Sequence, residues 1–147
     1  MITWKDKYSM GISRIDDEHK KFIDIINKAI VAKEHNNNPE ELKEVLHEIT
    51  IFAVSHFSTE ETFMIEFNYA EYHSHKKEHI LFSNTIIEFF NKIIDGDYQI
   101  ADKIVECLKQ WLINHILLTD KKYVGCFKEN GLHLLHNHKL PIILTKV

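Results

Sequence analysis

The sequence predicts an all-α protein: an up-down-up-down antiparallel four-helix bundle with an N-terminal arm and a short C-terminal extension. Two observations lead to this fold class. The 147 residues include only 4 Gly and 2 Pro, and apolar residues recur at three- and four-residue spacing over long stretches. Four long helices joined by short turns favour an antiparallel bundle. A chain of this length suits one domain with its own core, so we expect residues 1–147 to form a single domain.

The first two helices are delimited by breaks in this pattern. Residues 1–14 carry aromatic and apolar side chains without helical period, so we expect an arm that lies across the bundle. Helical spacing of apolar residues begins at Ile15. The segment NNNPEE ends this helix and starts the next, because Pro and acidic residues are favoured in a first helical turn. The second helix is predicted from about Pro39 to Phe67.

The third and fourth helices follow two further polar breaks. NYAEYH separates the second helix from a third, which is predicted to end at about Asp95. DGDYQ then makes a turn before a fourth helix that carries Ile104, Leu108 and Trp111 on one face. From about residue 128 to residue 147 the pattern has no clear period, and we expect a short amphipathic extension that caps the bundle.

Charge and composition exclude several functional classes. The formal net charge of −4 is spread along the chain without blocks, which gives no electrostatic case for binding nucleic acid or an anionic membrane. No apolar run approaches the length of a membrane span, and the N-terminus has no apolar core of a signal peptide. Only two cysteines are present, Cys107 and Cys126, which fits a reducing compartment. We therefore expect a cytoplasmic protein.

The unusual feature of the composition is the count of 11 His. At about 100° per residue, each histidine can be compared with the apolar stripe of its own helix. Glu60 lies one helical turn beyond a histidine of the second helix and faces the same way. Every helix directs at least one histidine inward, and the inward set is His19, His56, His75, His79 and His115. The remaining six fall on other faces or in the tail and are expected to be solvated: His35, His47, His73, His133, His136 and His138.

Five buried histidines beside a glutamate indicate a metal site rather than ordinary core packing. A lone histidine on an apolar face is more often a hydrogen-bonded core residue, but burying this many unpaired polar groups would cost several kcal/mol, of the order expected for unsatisfied buried polar groups. Metal coordination satisfies them together. Asp120, five residues after His115, is the candidate for a further carboxylate. On a straight α-helix it would sit about 140° away, so the helix must bulge or end there, for example through a π-type turn.

The donor set suggests a pair of metals with one open position. Five imidazoles, two bridging carboxylates and a shared oxo or hydroxo group leave one coordination position free on two six-coordinate metals, as binding of a small molecule requires. Imidazole and carboxylate together suit iron, although ligand type alone does not exclude zinc or manganese. The ferritin-like di-iron enzymes need two Glu-x-x-His motifs, whereas only Glu44–His47 has that spacing here, and His47 faces outward.

Four segments together resemble the hemerythrin family, specifically its single-domain bacteriohemerythrins. They are IDDEH (15–19), HFSTEE (56–61), HSHKKEH (73–79) and WLINHILLTDKKY (111–123), and the resemblance spans about residues 2–127. It implies that His75, His79 and His115 hold one iron. His19 and His56 would hold the second iron, and Glu60 and Asp120 would bridge the two ions with an oxo or hydroxo group. It also implies an apolar oxygen pocket formed by Phe57, Trp111, Leu112 and Ile116, although these four can equally be ordinary core residues.

The resemblance implies reversible dioxygen binding for oxygen transport, storage or delivery to an oxygen-using enzyme, without enzymatic activity. The alternatives are a diiron redox enzyme or a sensor acting on nitric oxide or peroxide, an iron or redox buffer, and a structural bundle occupied by zinc. The sequence leaves the oligomeric state open. It departs from the family at Glu18, where Gln is frequent, and this side chain is expected to point away from the site.

Overall fold

The computed structural model describes residues 1–134, and the whole of this range folds into helices, turns and an N-terminal arm without a β-strand. Four helices account for most of it, and consecutive helices run antiparallel as the sequence predicts. They are α1 (Ser13–Glu34), α2 (Pro39–Glu66), α3 (Tyr72–Ile94) and α4 (Ala101–Trp111). The antiparallel four-helix bundle is confirmed.

The helix boundaries follow local sequence chemistry. The Asn38 side chain caps α2 by accepting a hydrogen bond from the backbone N–H of Glu41 at 3.0 Å, and Pro39 occupies the first turn. Asn36 and Asn37 just before it have φ of 57° and 54°, in the left-handed region that Asn tolerates better than most residues. The first helix begins at Ser13, two residues before the start predicted from its apolar spacing.

The chain beyond α4 stays helical but changes its winding. Residues Leu112–Thr119 form a π-helix, Asp120–Tyr123 a 3-10 helix, and Val124–Glu129 a short α-helix, α5. A further 3-10 helix covers Leu132–Leu134. A π-helix places one more residue in each turn than an α-helix does. The bulge that the position of Asp120 requires is therefore present, and it takes the form of a π-type segment.

The N-terminal arm lies across the bundle, as expected. The backbone of Ile2 exchanges hydrogen bonds of 2.8 and 2.9 Å with the side chain of Asn27 on α1. Trp4 and Tyr8 pack edge to face on each other and against the core, with ring centroids 5.7 Å apart. Met10 is buried near the start of α1. The arm thus closes one side of the bundle.

Buried apolar residues form two clusters, and the inward histidines lie between them. The larger cluster fills the bundle from Phe22 and Phe52 to Leu112 and Ile116. The smaller one closes the other end and contains Met10, Ile12, Ile15, Phe63, Met64, Tyr123, Phe127 and Leu132. On α1, on α2 and in the segment after α4 the inward histidines fall between members of the two clusters, and on α3 they precede Phe82 of the larger cluster. The polar site is consequently enclosed by apolar side chains at both ends.

Leu132 is buried in the smaller cluster, so the first part of the extension packs on the end of the bundle. Residues 135–147, which include His136 and His138, lie outside the described residues. Within residues 1–134, no helix is both long and apolar enough to cross a membrane.

Candidate metal centre

The seven residues that the sequence selects as metal ligands come together in one place. Their side chains are buried, with at most 2% of any of them exposed. α1 contributes one histidine, α2 a histidine and a glutamate one turn apart, and α3 two histidines one turn apart. The last histidine and the aspartate come from the π-helix and the turn that follows it. They are His19, His56, Glu60, His75, His79, His115 and Asp120.

Glu60 lies between histidines of α2 and α3. Its Oε1 is 3.2 Å from the Nε2 atoms of both His56 and His79 and 3.8 Å from Nε2 of His75. The α-helical spacing of four residues places Glu60 directly above His56 on the same face. One carboxylate oxygen is therefore shared by imidazoles from two helices.

Asp120 occupies the matching position on the other side. Its Oδ1 is 3.0 Å from the Nε2 atoms of both His75 and His115, and its Oδ2 is 3.2 Å from Nε2 of His19. The two oxygens thus face opposite histidine sets. A carboxylate placed in this way is able to contact two metal ions at once.

The inward atoms of the seven residues make no hydrogen bonds of good geometry. The Nε2 atoms of the five histidines and all four carboxylate oxygens of Glu60 and Asp120 are buried without such a partner in the described part of the chain. Buried polar atoms are nearly always paired, and each unpaired one costs about 1–3 kcal/mol. Nine unpaired atoms that converge on one volume fit metal coordination, since a cation would satisfy them all. The donor set therefore fits metal ions.

The converging atoms divide into two overlapping groups. One ligand atom from each member lies within 4.8 Å of those of the other members. The first group contains His75, His79 and His115, the second contains His19 and His56, and both contain Glu60 and Asp120. We call them the three-histidine group and the two-histidine group. Glu60 and Asp120 are therefore the two carboxylates common to both groups.

Comparison with known proteins agrees with this geometry. The family model described as the hemerythrin HHE cation binding domain matches residues 10–127. This chain belongs to the hemerythrin family.

Curated relatives of this hemerythrin-family chain carry the name bacteriohemerythrin. The protein from Pseudomonas aeruginosa is 33% identical over 129 residues, which cover 88% of this chain and 83% of the relative. The protein from Clostridium acetobutylicum is 30% identical over 128 residues, covering 84% and 99%. A wild-type hemerythrin crystal structure superposes with a TM-score of 0.77 at 28% identity, covering 86% of this chain and 97% of that chain.

Three carboxylates outside the seven-residue set contact the outward Nδ1 atoms of the inward histidines of this hemerythrin-family site. Glu61 is 2.8 Å from His79, and Glu78 is 3.0 Å from His115. Glu18 Oε2 is 3.2 Å from Nδ1 of His56. The expectation that Glu18 points away from the site is wrong, because its carboxylate contacts His56 on the neighbouring helix α2.

The carboxylates shift the ionisation of the buried histidines. Burial lowers the pKa of His56, but the charges of Glu60 and Glu18 outweigh it and raise that pKa from 6.5 to about 9. Burial likewise lowers the pKa of His75, yet Asp120 and Glu60 raise it to about 10. Burial raises the pKa of Glu60 while His56 and its neighbours lower it, and the net value lies well below the ordinary one. Burial and the charge of Glu60 raise the pKa of Asp120, but His115 and His19 lower it by more, so both carboxylates stay ionised.

Aromatic rings cover the histidines on the side of the larger cluster. The Phe57 ring stacks on His79 with centroids 3.9 Å apart, and Trp111 stacks on His115 at 3.8 Å. Leu112 and Ile116 are buried in the same cluster. The four residues expected to form an oxygen pocket thus include two that pack directly on inward histidines.

Among residues 1–134, three of the four other histidines are exposed as predicted. His35, His47 and His73 are exposed, as predicted, and His35 pairs with Glu41 at 2.9 Å. His133 is half-buried, and its Nδ1 has no hydrogen-bond partner among residues 1–134. His133 is therefore less exposed than expected, because it follows Leu132, which is buried in the smaller cluster.

Proposed function

We propose that this protein binds dioxygen reversibly at a non-haem diiron centre, for oxygen transport, storage or delivery to an oxygen-using enzyme. The observation that carries the proposal is the pair of overlapping groups that share Glu60 and Asp120 and differ by one histidine. His75, His79 and His115 would hold one iron, and His19 and His56 the other. An oxo or hydroxo group would complete the bridge between the two ions.

The unequal histidine count supports a binding role. With equal sharing of the bridging groups, the two-histidine group offers one ligand fewer, and a missing ligand leaves the open position that a small molecule needs. When bound, two iron ions would supply the electrons and the open position for reversible dioxygen binding. The site has only Glu60 and Asp120 as carboxylate ligands, fewer than a ferritin-like site has. It therefore supplies less negative charge to stabilise strongly oxidised iron.

The protein surroundings would keep the site dry. Phe57 and Trp111 lie flat against two of the histidines, and Leu112 and Ile116 are buried beside them. Apolar side chains hold neither water nor small anions, since both would lose hydrogen bonds on entry. A wall of this kind favours return of dioxygen over irreversible oxidation of the metal. We assign these four residues to the wall of the oxygen pocket.

Spectroscopy through cycles of oxygenation tests the proposal. The purified, iron-loaded protein is reduced without oxygen, exposed to air, and then degassed while its visible spectrum is recorded. A band that appears with air and disappears on degassing through several cycles is the expected result. Immediate and permanent conversion to the oxidised spectrum would contradict reversible binding. Iron analysis of the same sample is expected to give two ions per chain.

A diiron redox enzyme or a sensor acting on nitric oxide or peroxide is the second candidate, and Tyr123 is the observation that favours it. Its side chain is fully buried, stacks near His75 with centroids 5.6 Å apart, and has a hydroxyl without a hydrogen-bond partner in the described range. Burial and the charges of Asp120 and Glu60 raise its pKa well above the ordinary value, so the hydroxyl stays protonated and can donate a hydrogen bond to a bound molecule. Catalytic consumption of hydrogen peroxide that Tyr123→Phe abolishes would support this role.

A further inference from the structure

Glu18 contacts a ligand of the two-histidine group from outside that group. Its Oε2 is 3.2 Å from Nδ1 of His56, and only 14% of its side chain is exposed. Glu18 lies on α1 and His56 on α2, so the contact joins two helices of the bundle. Both line a surface groove between these helices, with Phe52 and Lys21 beside them. The carboxylate thus lies beside His56 at a surface groove between α1 and α2.

The contact fixes which nitrogen of His56 carries a proton. Its Nε2 faces the metal position, where it is 3.2 Å from Glu60, and a metal ligand nitrogen must be unprotonated. The proton then sits on Nδ1, which donates to Glu18. A hydrogen bond to a charged acceptor is about twice as strong as one to a neutral acceptor, and it increases the electron donation of the imidazole to its metal.

The two groups differ in the carboxylates that contact the outward Nδ1 atoms of their histidines. In the three-histidine group, Glu61 and Glu78 contact the outward nitrogens of His79 and His115. In the two-histidine group, Nδ1 of His19 has no hydrogen-bond partner in residues 1–134, so His56 alone receives such support. The carboxylates also differ in exposure, since the side chain of Glu78 is 42% exposed and that of Glu61 21%. The most shielded carboxylate therefore acts on the group with the fewest ligands.

We propose that Glu18 is a positioning residue that orients His56 and strengthens its bond to the metal in the two-histidine group. In this role it sets the metal affinity of that group and lowers the reduction potential of its metal. The proposal deepens the proposed function, on which it rests for the presence of a metal pair. If dioxygen binds at the two-histidine group, Glu18 would adjust the properties of the metal that binds it.

Cobalt(II) titration of the chain without iron tests the affinity, with the metal alone as the probe. Cobalt(II) absorbs in the visible range when bound by imidazole and carboxylate, so binding is followed directly. Glu18→Gln keeps an acceptor but removes the charge, whereas Glu18→Ala removes both. Outer partners of ligand histidines typically change metal affinity by about 10- to 100-fold. We expect the weaker of two cobalt sites to lose about tenfold in Glu18→Gln and more in Glu18→Ala, with the tighter site unchanged.

Two matched variants show whether the effect is specific. Asp24→Asn removes the same charge from an exposed position of α1 that lines the same groove, and it should leave both cobalt affinities unchanged. Glu78→Gln removes the charge beside His115 but keeps an acceptor, and it is expected to weaken the tighter site instead. If both Glu18 variants stay within about twofold of Asp24→Asn, the proposal is overturned. Equal weakening of both sites by Glu18→Gln would also overturn it.

The reduction potential of the iron-loaded protein gives a readout that a purely structural role would not move. Removing a negative charge next to His56 destabilises the more positive oxidised metal, so the potential in Glu18→Gln should rise relative to Asp24→Asn. An unchanged potential would contradict the proposal. A wild-type chain that binds no second metal ion overturns the proposed function itself. If the wild type binds two metal ions and the Glu18 variants bind them with unchanged affinities, only the role of Glu18 is overturned.

Discussion

His115 and Asp120 contact each other through both backbone and side chain. The backbone N–H of Asp120 donates to the carbonyl of His115, and Oδ1 of Asp120 lies 3.0 Å from Nε2 of His115. The backbone bond spans five residues, which is the π-helical pattern. In an α-helix these side chains would point about 140° apart. The extra residue in the turn therefore brings Asp120 into the site as its second carboxylate.

Replacing Asp120 should disrupt both metal positions, because its two oxygens face different histidines. In Asp120→Asn the side chain keeps its shape but loses the charge shared between His75 and His19. We expect iron content to fall below two ions per chain, measured by elemental analysis of the purified protein. Asp102→Asn, which changes an exposed carboxylate of α4 paired with Lys33, is the control and should retain two ions. Two ions in Asp120→Asn would show that this carboxylate does not bridge.

Much of this site was predictable from the sequence because helical periodicity fixes which way a side chain faces. His56 and Glu60 are four residues apart, as are His75 and His79, so each pair shares the face of its helix that carries the apolar stripe. Asp120 could be selected only by requiring a change in helix winding. The structure supplies that change between residues 112 and 119. The core-facing part of the site thus follows from local rules.

The outer carboxylates could not be found in this way. Glu18, Glu61 and Glu78 lie at the edges of the polar faces, where a carboxylate that contacts a histidine has the same periodicity as a solvated one. Their roles depend on which neighbouring helix lies beside them and at what distance, and periodicity gives neither. A tertiary contact between two helices is needed to distinguish them. For the same reason the half-buried position of His133 was not predicted.

Helical periodicity predicts opposite effects on iron content for two histidines of α2. His47 lies nine residues before His56 and is exposed, whereas His56 is 1% exposed and faces Glu60. His47→Ala should therefore leave two iron ions per chain, and His56→Ala should reduce this number. Both variants remove one imidazole from the same helix, so each controls for the other. Equal loss of iron from the two would refute the assignment of faces.

Stability of the metal-free protein should fall as pH rises above neutrality. The pKa of His56 is raised to about 9 and that of His75 to about 10, from an ordinary value of 6.5. A histidine with a raised pKa stabilises the folded state fully below its unfolded pKa, and this contribution is lost as pH rises through the folded pKa. The melting temperature should therefore decrease between about pH 6.5 and pH 10.

The iron-loaded protein is the comparison for this pH dependence. Its ligand nitrogens bind metal rather than protons, so its melting temperature should change less over the same range. Thermal unfolding followed by circular dichroism at a series of pH values measures both forms. A metal-free melting temperature that stays constant or rises from pH 6.5 to pH 10 would contradict the prediction.

A polar group in the apolar wall should speed irreversible oxidation. Ile116 is fully buried in the larger cluster, next in sequence to His115. Ile116→Thr places a hydroxyl there, which gives water or a small anion a hydrogen-bond partner beside the site. Ile116→Val also shortens the side chain but stays apolar, and such a change typically costs about 0.5–1.5 kcal/mol of stability. The threonine variant should lose about 1–3 kcal/mol more, the cost of an unpaired buried hydroxyl, unless water satisfies it.

Measuring both the oxidation rate and the stability of the two variants distinguishes an effect of water exclusion from an effect of packing. The visible spectrum of the oxygenated protein, recorded over time, measures how fast the reversible form converts to the permanently oxidised one. We expect Ile116→Thr to convert faster than wild type and Ile116→Val to remain close to wild type, because only the former changes the polarity of the wall. If both variants oxidise faster by the same factor, the loss of packing is the cause. Equal rates in all three proteins would remove Ile116 from the oxygen pocket and leave it a core residue.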